Sequence, residues 1–381
     1  MPYSPDDAPD RAPRRGGGSE ATRVLATPRR GGGTRTALGS PADPDAQDLA
    51  ASATGLHHGS ALTDGPVDGV GRSHGKAILI GEHAVVYGAA AIALPVPSVE
   101  AIAQVELLPA GETSRLTSRL HSGTFATLPA ELTPVAAAVH AAATAVGLDP
   151  DRIHLRIGSQ VPIGRGMGSS AAVAAAVVEA VADAAGAQLT AEVRHELIQT
   201  SERVAHGNPS GLDARTVVSD QPVRFLQRRP QGSVPVARPT SFVIADSGVS
   251  ASTAVAVATV RARREAAPQV VDAVIEELSA LVDPVAAALG SGDMTGLGAG
   301  MTRAHELLRE IGVSSPVLDD LVEGALAAGS PGAKLTGSGG GGCVLALAAS
   351  PQAADDLALA LHAAGAPRTW TMTLAPRKGD A

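Results

Sequence analysis

The 381-residue chain contains one cysteine, Cys343, so no intrachain disulfide can form and no cysteine-based zinc site is present. Such sparse cysteine fits a reducing compartment, and a cytoplasmic location is expected. Aromatic residues make up only 2% of the chain, too few for the stacking platforms of a nucleic-acid binder. The formal net charge is -8, so there is no basic field to attract nucleic acid or an anionic membrane. No run of eighteen apolar residues occurs, which excludes a membrane-spanning helix. The opening stretch, MPYSPDDAPDRAPRRGGGSE, lacks the apolar segment of a secretory signal. Lysine is scarce, while arginine, alanine, valine and glycine are abundant, a bias that a GC-rich genome produces.

What remains is a chain with 44% hydrophobic residues, enough for one large core or two medium ones. Residues 1–65 are rich in Gly, Pro, Ala, Arg, Asp and Ser and carry RRGGG twice. They show no helical or strand period and read as a disordered low-complexity extension, with an arginine-rich interaction tail as the alternative. Order is expected from about Gly69. Strands are predicted over 76–80, within 83–94 after a turn, and over 99–108 and 152–157. Helices are predicted over 131–147, 169–186 and 190–206. The second half begins with a strand at 241–246, followed by long helical patterns over roughly 252–288, 292–311 and 315–328. It closes with strands at 332–336, 343–348 and 368–374 and a helix at 351–364. Runs of strands followed by runs of helices argue an α+β fold of two lobes, 66–240 and 241–381, with a cleft between them.

The stretch PIGRGMGSSAA, residues 162–172, places three alternating glycines directly before a helical pattern. Glycine loses much backbone entropy on folding, so such a cluster needs a reason. Gly164, Gly166 and Gly168 allow backbone N–H groups to turn inward, and Ser169 stands where an N-cap is expected. A helix N-terminus with free N–H groups is an anion site, commonly for phosphate. The spacing matches neither the GK[ST] ending of a P-loop nor the G-x-G-x-x-G of a dinucleotide fold. A plain glycine-rich helix cap is the competing reading.

Three further stretches carry chemistry-bearing residues. GRSHGKAILIGEHAVVYG, residues 71–88, has Lys76 at the mouth of a strand and Glu82 and His83 at its far end, where both could point into one cleft. SERVAHGNPSGLDA, residues 201–214, puts Glu202 late in a helix that Gly207-Asn208-Pro209 ends, and Asp213 after a Ser210-Gly211 turn. One of these carboxylates could hold a divalent ion and the other accept a proton from an alcohol; two solvated acids are the plainer reading. KLTGSGGGGC, residues 334–343, has five glycines among positions 337–342, which implies close backbone approach between paired strands.

Together these motifs, in this order, resemble the superfamily of galactokinase, homoserine kinase, mevalonate kinase and phosphomevalonate kinase, over about residues 70–375. GEHAVVYG and ERVAHGNPSGLD are most similar to its mevalonate kinase branch. The resemblance implies a two-lobed kinase that uses ATP and Mg²⁺ to phosphorylate the C5 hydroxyl of mevalonate, on the route to isoprenoids. A sibling small-molecule kinase such as phosphomevalonate kinase is the alternative. It implies that the loop of Pro162, Gly164, Arg165, Gly166, Met167, Gly168, Ser169, Ser170 and Ala171 wraps the ATP phosphates. Ser170 and Glu202 are implied as the metal ligands, and Lys76 and Asp213 as the catalytic pair. Glu82, His83, Asp213 and Thr253 are implied around the substrate. A homodimer is also compatible with the resemblance. Several positions depart from the family pattern: Met167 replaces leucine, Ser338 replaces glycine, Ala254 replaces a lysine, and His74 precedes Gly75 where proline or alanine is usual. Ser338 would need an allowed φ.

Overall fold

The structure is a computed structural model and describes residue 62 and residues 65–226 and 229–376, with 229 and 230 described by backbone only. Apart from residues 62 and 65, the extension expected over 1–65 lies outside the described residues.

The first half builds a seven-stranded sheet. Its strands are β1 (Gly69–Ile80), β2 (Ala91–Leu107), β3 (Arg115–Ser118), β4 (Ser122–Thr124), β5 (Ile153–Ser159), β6 (Val223–Leu226) and β7 (Arg229–Ser233). The path runs β4-β3-β5-β2-β6-β7, and β1 pairs with β2. All the pairings are antiparallel except β3 with β5. The separate strands expected within 83–94 and over 99–108 are one strand, β2. The β1–β2 register shifts between His74 and Gly75, so Pro97 sits in the irregularity, where a missing N–H is tolerated. The short strands β3, β4, β6 and β7 were not anticipated.

Helices α1 (Thr133–Val146), α2 (Ser169–Ala184) and α3 (Ala191–His206) cover this sheet, and a short α4 (Leu212–Thr216) follows. In α2 the run of alanines and valines is buried on nearly every side, as expected for a helix at the centre of a core. Thr190 caps α3 by accepting from the Val193 N–H, and Gly207 ends it with φ 72°.

The second half forms a four-stranded antiparallel sheet in the order β11-β8-β10-β9, from β8 (Thr240–Asp246), β9 (Ala333–Thr336), β10 (Cys343–Leu347) and β11 (Arg368–Leu374). Around it lie α5 (Thr253–Ala266), α6 (Pro268–Ala280), α7 (Val282–Ser291), α8 (Met294–Glu310), α9 (Pro316–Ala327) and α10 (Ala353–Ala363). The pattern read as one helix over 252–288 is three, because Pro268 starts a new helix at its first turn and the chain turns again at Leu281. No helix among the described residues is long and apolar enough to cross a membrane.

Candidate active site

The glycine loop leaves β5 and enters α2. Gly164, Gly166 and Gly168 adopt φ of 68°, 76° and 72°, the left-handed region that glycine occupies without strain. Among the described residues, none of the backbone N–H groups from Gly164 through Ala171 finds a protein acceptor. Eight donors thus gather at the positive end of α2, which suits a polyphosphate. The helix cap is Gly168 rather than Ser169, whose hydroxyl donates instead to the Val161 carbonyl at 3.2 Å.

The loop is fixed from two sides. The Lys76 N–H donates to the Met167 carbonyl at 3.0 Å, and the Ala251 N–H to that of Gly164 at 3.1 Å. Met167 is fully buried, so its side chain anchors the loop in the core. The Arg165 side chain turns away from the cradle: it pairs with the buried Asp246 at 2.8 Å and donates to Gly248 and Ser250. Its expected place on the phosphates is therefore open only to its backbone. Gly166 faces the second glycine loop, where an added Cβ would lie 3.1 Å from the Gly337 Cα. The close approach implied by the glycines of 337–342 is that of one loop against the other.

Beside the cradle the structure joins Lys76 and Asp213, with Nζ 3.1 Å from Oδ1. Lys76 does not sit at a strand mouth but inside β1, with its side chain 4% exposed, while Asp213 in the first turn of α4 is 35% exposed. The lysine is thus locked and the carboxylate faces out. Glu202 is buried nearby. Burial, and then the charge of Asp213, push its carboxyl upward, while a hydrogen bond from the Ser170 hydroxyl opposes the shift. The Glu202 Oε1 is buried with no hydrogen-bond partner among the described residues. An orphaned carboxylate oxygen beside a serine hydroxyl and a phosphate cradle fits Mg²⁺, which takes few protein ligands.

Glu82 and His83 differ from expectation. They are 1% and 6% exposed and do not line an open cleft. Glu82 pairs with Lys334 of β9, both side chains fully enclosed. Burial pushes the Glu82 carboxyl up and the Lys334 ammonium down, each opposed by its partner. His83 shares hydrogen-bonding distance, 2.9 Å, with the Ser338 carbonyl, and burial lowers its pKa. It is the one non-glycine among the described residues at positive φ, 59°, a strained backbone of the kind found at functional sites. Thr253, first residue of α5, donates to the Ser338 hydroxyl at 3.4 Å. Ser338 itself keeps a negative φ, so its departure from glycine costs no backbone strain.

Sequence reasoning missed Lys334 and Asp246. The scarcity of lysine was the available signal. The chain has three, and both described ones, Lys76 and Lys334, are buried at this site. Where arginine serves most surface positions, a retained lysine marks a need for a compact point charge.

Comparison with known proteins shows the family. Residues 133–220 match the GHMP kinases N terminal domain and residues 285–367 the GHMP kinases C terminal domain. The mevalonate kinase of Thermococcus sibiricus is 34% identical over 309 residues, which cover 76% of this chain and 91% of that protein. The chain belongs to the mevalonate kinase family of GHMP kinases. Among solved structures, L. major mevalonate kinase in complex with R-mevalonate superposes with a TM-score of 0.70 at 27% identity, covering 81% of this chain and 96% of that one. Streptococcus pneumoniae phosphomevalonate kinase superposes with a TM-score of 0.67 at 18% identity, covering 80% and 99%, and shares the fold. Membership of a kinase family makes ATP a substrate and a small molecule its acceptor.

Proposed function

We propose that the chain transfers the γ-phosphoryl group of ATP to the C5 hydroxyl of mevalonate, giving mevalonate 5-phosphate and ADP. The Lys76–Asp213 pair beside the free N–H groups of the glycine loop carries this reading. Phosphoryl transfer asks a protein mainly for positioning and charge stabilisation. The loop holds the phosphates through its N–H groups. Asp213, the exposed member of the pair, accepts the hydrogen bond of the acceptor hydroxyl and aims its oxygen at the γ-phosphorus. The new P–O bond forms as the bond from the γ-phosphorus to the β,γ-bridging oxygen breaks, ADP leaves, and the hydroxyl proton is released past the exposed Asp213 to solvent. Lys76, fixed in β1, balances negative charge on the moving phosphoryl group. Ser170 and Glu202 would hold Mg²⁺, which neutralises phosphate charge when bound. Residues 66–240 and 241–381 serve as the two lobes in this reading.

The sibling phosphomevalonate kinase would need extra cations for a second phosphate. Over 200–214 the only one is Arg203, and it is paired with Glu196 at 2.6 Å. A coupled ADP-release assay with Mg-ATP tests the proposal against mevalonate, phosphomevalonate, homoserine and galactose. Turnover on mevalonate is expected; turnover confined to another alcohol would overturn the substrate.

A further inference from the structure

A second cavity, of about 270 Å³, lies between the first turns of α3, the end of α4 and strands β6 and β7. Arg194, His195 and Arg215 line it, with Asp220 as an acidic residue on the same wall. Arg194 is half-engaged, its Nε held by Glu179. Arg215 donates from Nη1 to the Ala191 carbonyl at 3.1 Å, but its Nε is buried without a partner, and so is Nδ1 of His195. Two buried nitrogens beside one cavity have no hydrogen-bond partner among the described residues. A buried Nε–H left without an acceptor on a half-buried guanidinium is costly, and an oxyanion is the group its planar fork accepts best.

We propose that this cavity is a second binding site, for a small phosphate-class oxyanion held by Arg215, His195 and the free donors of Arg194. Its position couples it to the catalytic pair. Arg215 and Asp213 share the five-residue helix α4. Just beyond that helix, the Val217 carbonyl accepts from the Ser73 hydroxyl and the His74 N–H, and the His74 ring contacts the Ser219 carbonyl, within three residues of Lys76. Filling the cavity therefore bears on both ends of the Lys76–Asp213 contact. The groups facing His195 agree with an anion-seeking site: burial and the charge of Arg215 hold its pKa down at about 4, with Arg203 adding to the effect and Glu196 opposing it.

The test is a phosphate titration of the full chain, followed through the His195 ring resonances by NMR with ¹⁵N-labelled histidine. Inorganic phosphate is expected to shift the ring signals saturably and to raise the His195 pKa by about one unit, as a bound anion favours the imidazolium. Arg215→Gln and Arg194→Gln should each weaken the response about tenfold, the loss of one charge-assisted hydrogen bond. Gly166→Ala, which disturbs the glycine loop against Gly337 and lies outside this cavity, should leave it unchanged. No saturable shift would overturn the proposal. So would a response lost equally in Gly166→Ala, which would place the phosphate in the glycine loop. A response intact in both arginine variants would also overturn it, because the anion would then be held elsewhere.

Discussion

Lys334 of β9 and Glu82, two residues past β1, form an ion pair with both side chains shut off from solvent, and the pair bridges the two sheets. The Lys334 ammonium also donates to the Leu335 carbonyl at 2.6 Å, and the Thr336 hydroxyl next to it bonds Ile78 on β1. Removing one member strands a buried charge, which costs about 3–5 kcal/mol, whereas an apolar pair of similar size is nearly neutral. Glu82→Gln and Lys334→Met are each expected to lower the urea midpoint sharply. The double variant Glu82→Leu/Lys334→Met should be more stable than either single one. A double variant as weak as the sum of the two would refute this account of the pair.

Lys76→Met removes the fixed cation beside the phosphoryl group. It should lower kcat about 10²–10³-fold, the scale of one lost electrostatic stabiliser. The KM for ATP should move far less, because the loop N–H groups are untouched. Steady-state kinetics with both substrates varied reads this directly.

Gly166→Ala adds a methyl 3.1 Å from the Gly337 Cα at a residue with φ 76°. Gly88→Ala, at φ 89° with nothing within 4 Å of the new methyl, carries the backbone strain alone. Both should lose about 1–2 kcal/mol of stability from the φ. Only Gly166→Ala should also raise the KM for ATP, because it pushes the two glycine loops apart. Equal KM values in the two variants would contradict the loop-against-loop reading.

The parts of the fold legible in the sequence were those with strong local signals. The helices 169–186 and 190–206 and the strands 241–246 and 368–374 matched to within two residues, because their apolar patterns are strong. What was not legible depended on partners distant in sequence. β3, β4, β6 and β7 are three to five residues long and are defined by their ladders rather than by their own pattern. Within the site, the glycines of the loop and the spacing of Lys76, Glu202 and Asp213 were readable. Glu82 was expected beside the substrate, and its pairing with Lys334, 252 positions away, was not legible. Arg165 was placed on phosphate because it sits in the loop; only the tertiary fold shows Asp246 waiting for it.

His305 gives a pH dependence with a definite sign. Its Nδ1 accepts from the Leu335 N–H at 3.3 Å and its Nε2 meets Asp319 at 3.1 Å, so the neutral ring satisfies both neighbours. Burial lowers its pKa from 6.5 to about 4, against the pull of Asp319. Between those values the unfolded chain binds a proton that the folded one refuses, so stability is full above 6.5 and falls as the pH drops toward 4. The slope contributed is at most about 1.4 kcal/mol per pH unit. Urea unfolding at several pH values should show a flatter acid limb for His305→Gln than for the unaltered chain, and identical limbs would refute the assignment.

The most direct test of the central claim is turnover with R-mevalonate and Mg-ATP, product identified by ³¹P NMR, for the unaltered chain and for Asp213→Asn side by side. The account predicts mevalonate 5-phosphate from the unaltered chain and a rate about 10²–10⁴-fold lower in the variant, with the fold intact. No phosphorylation of mevalonate by the unaltered chain, or full turnover by Asp213→Asn, would contradict it.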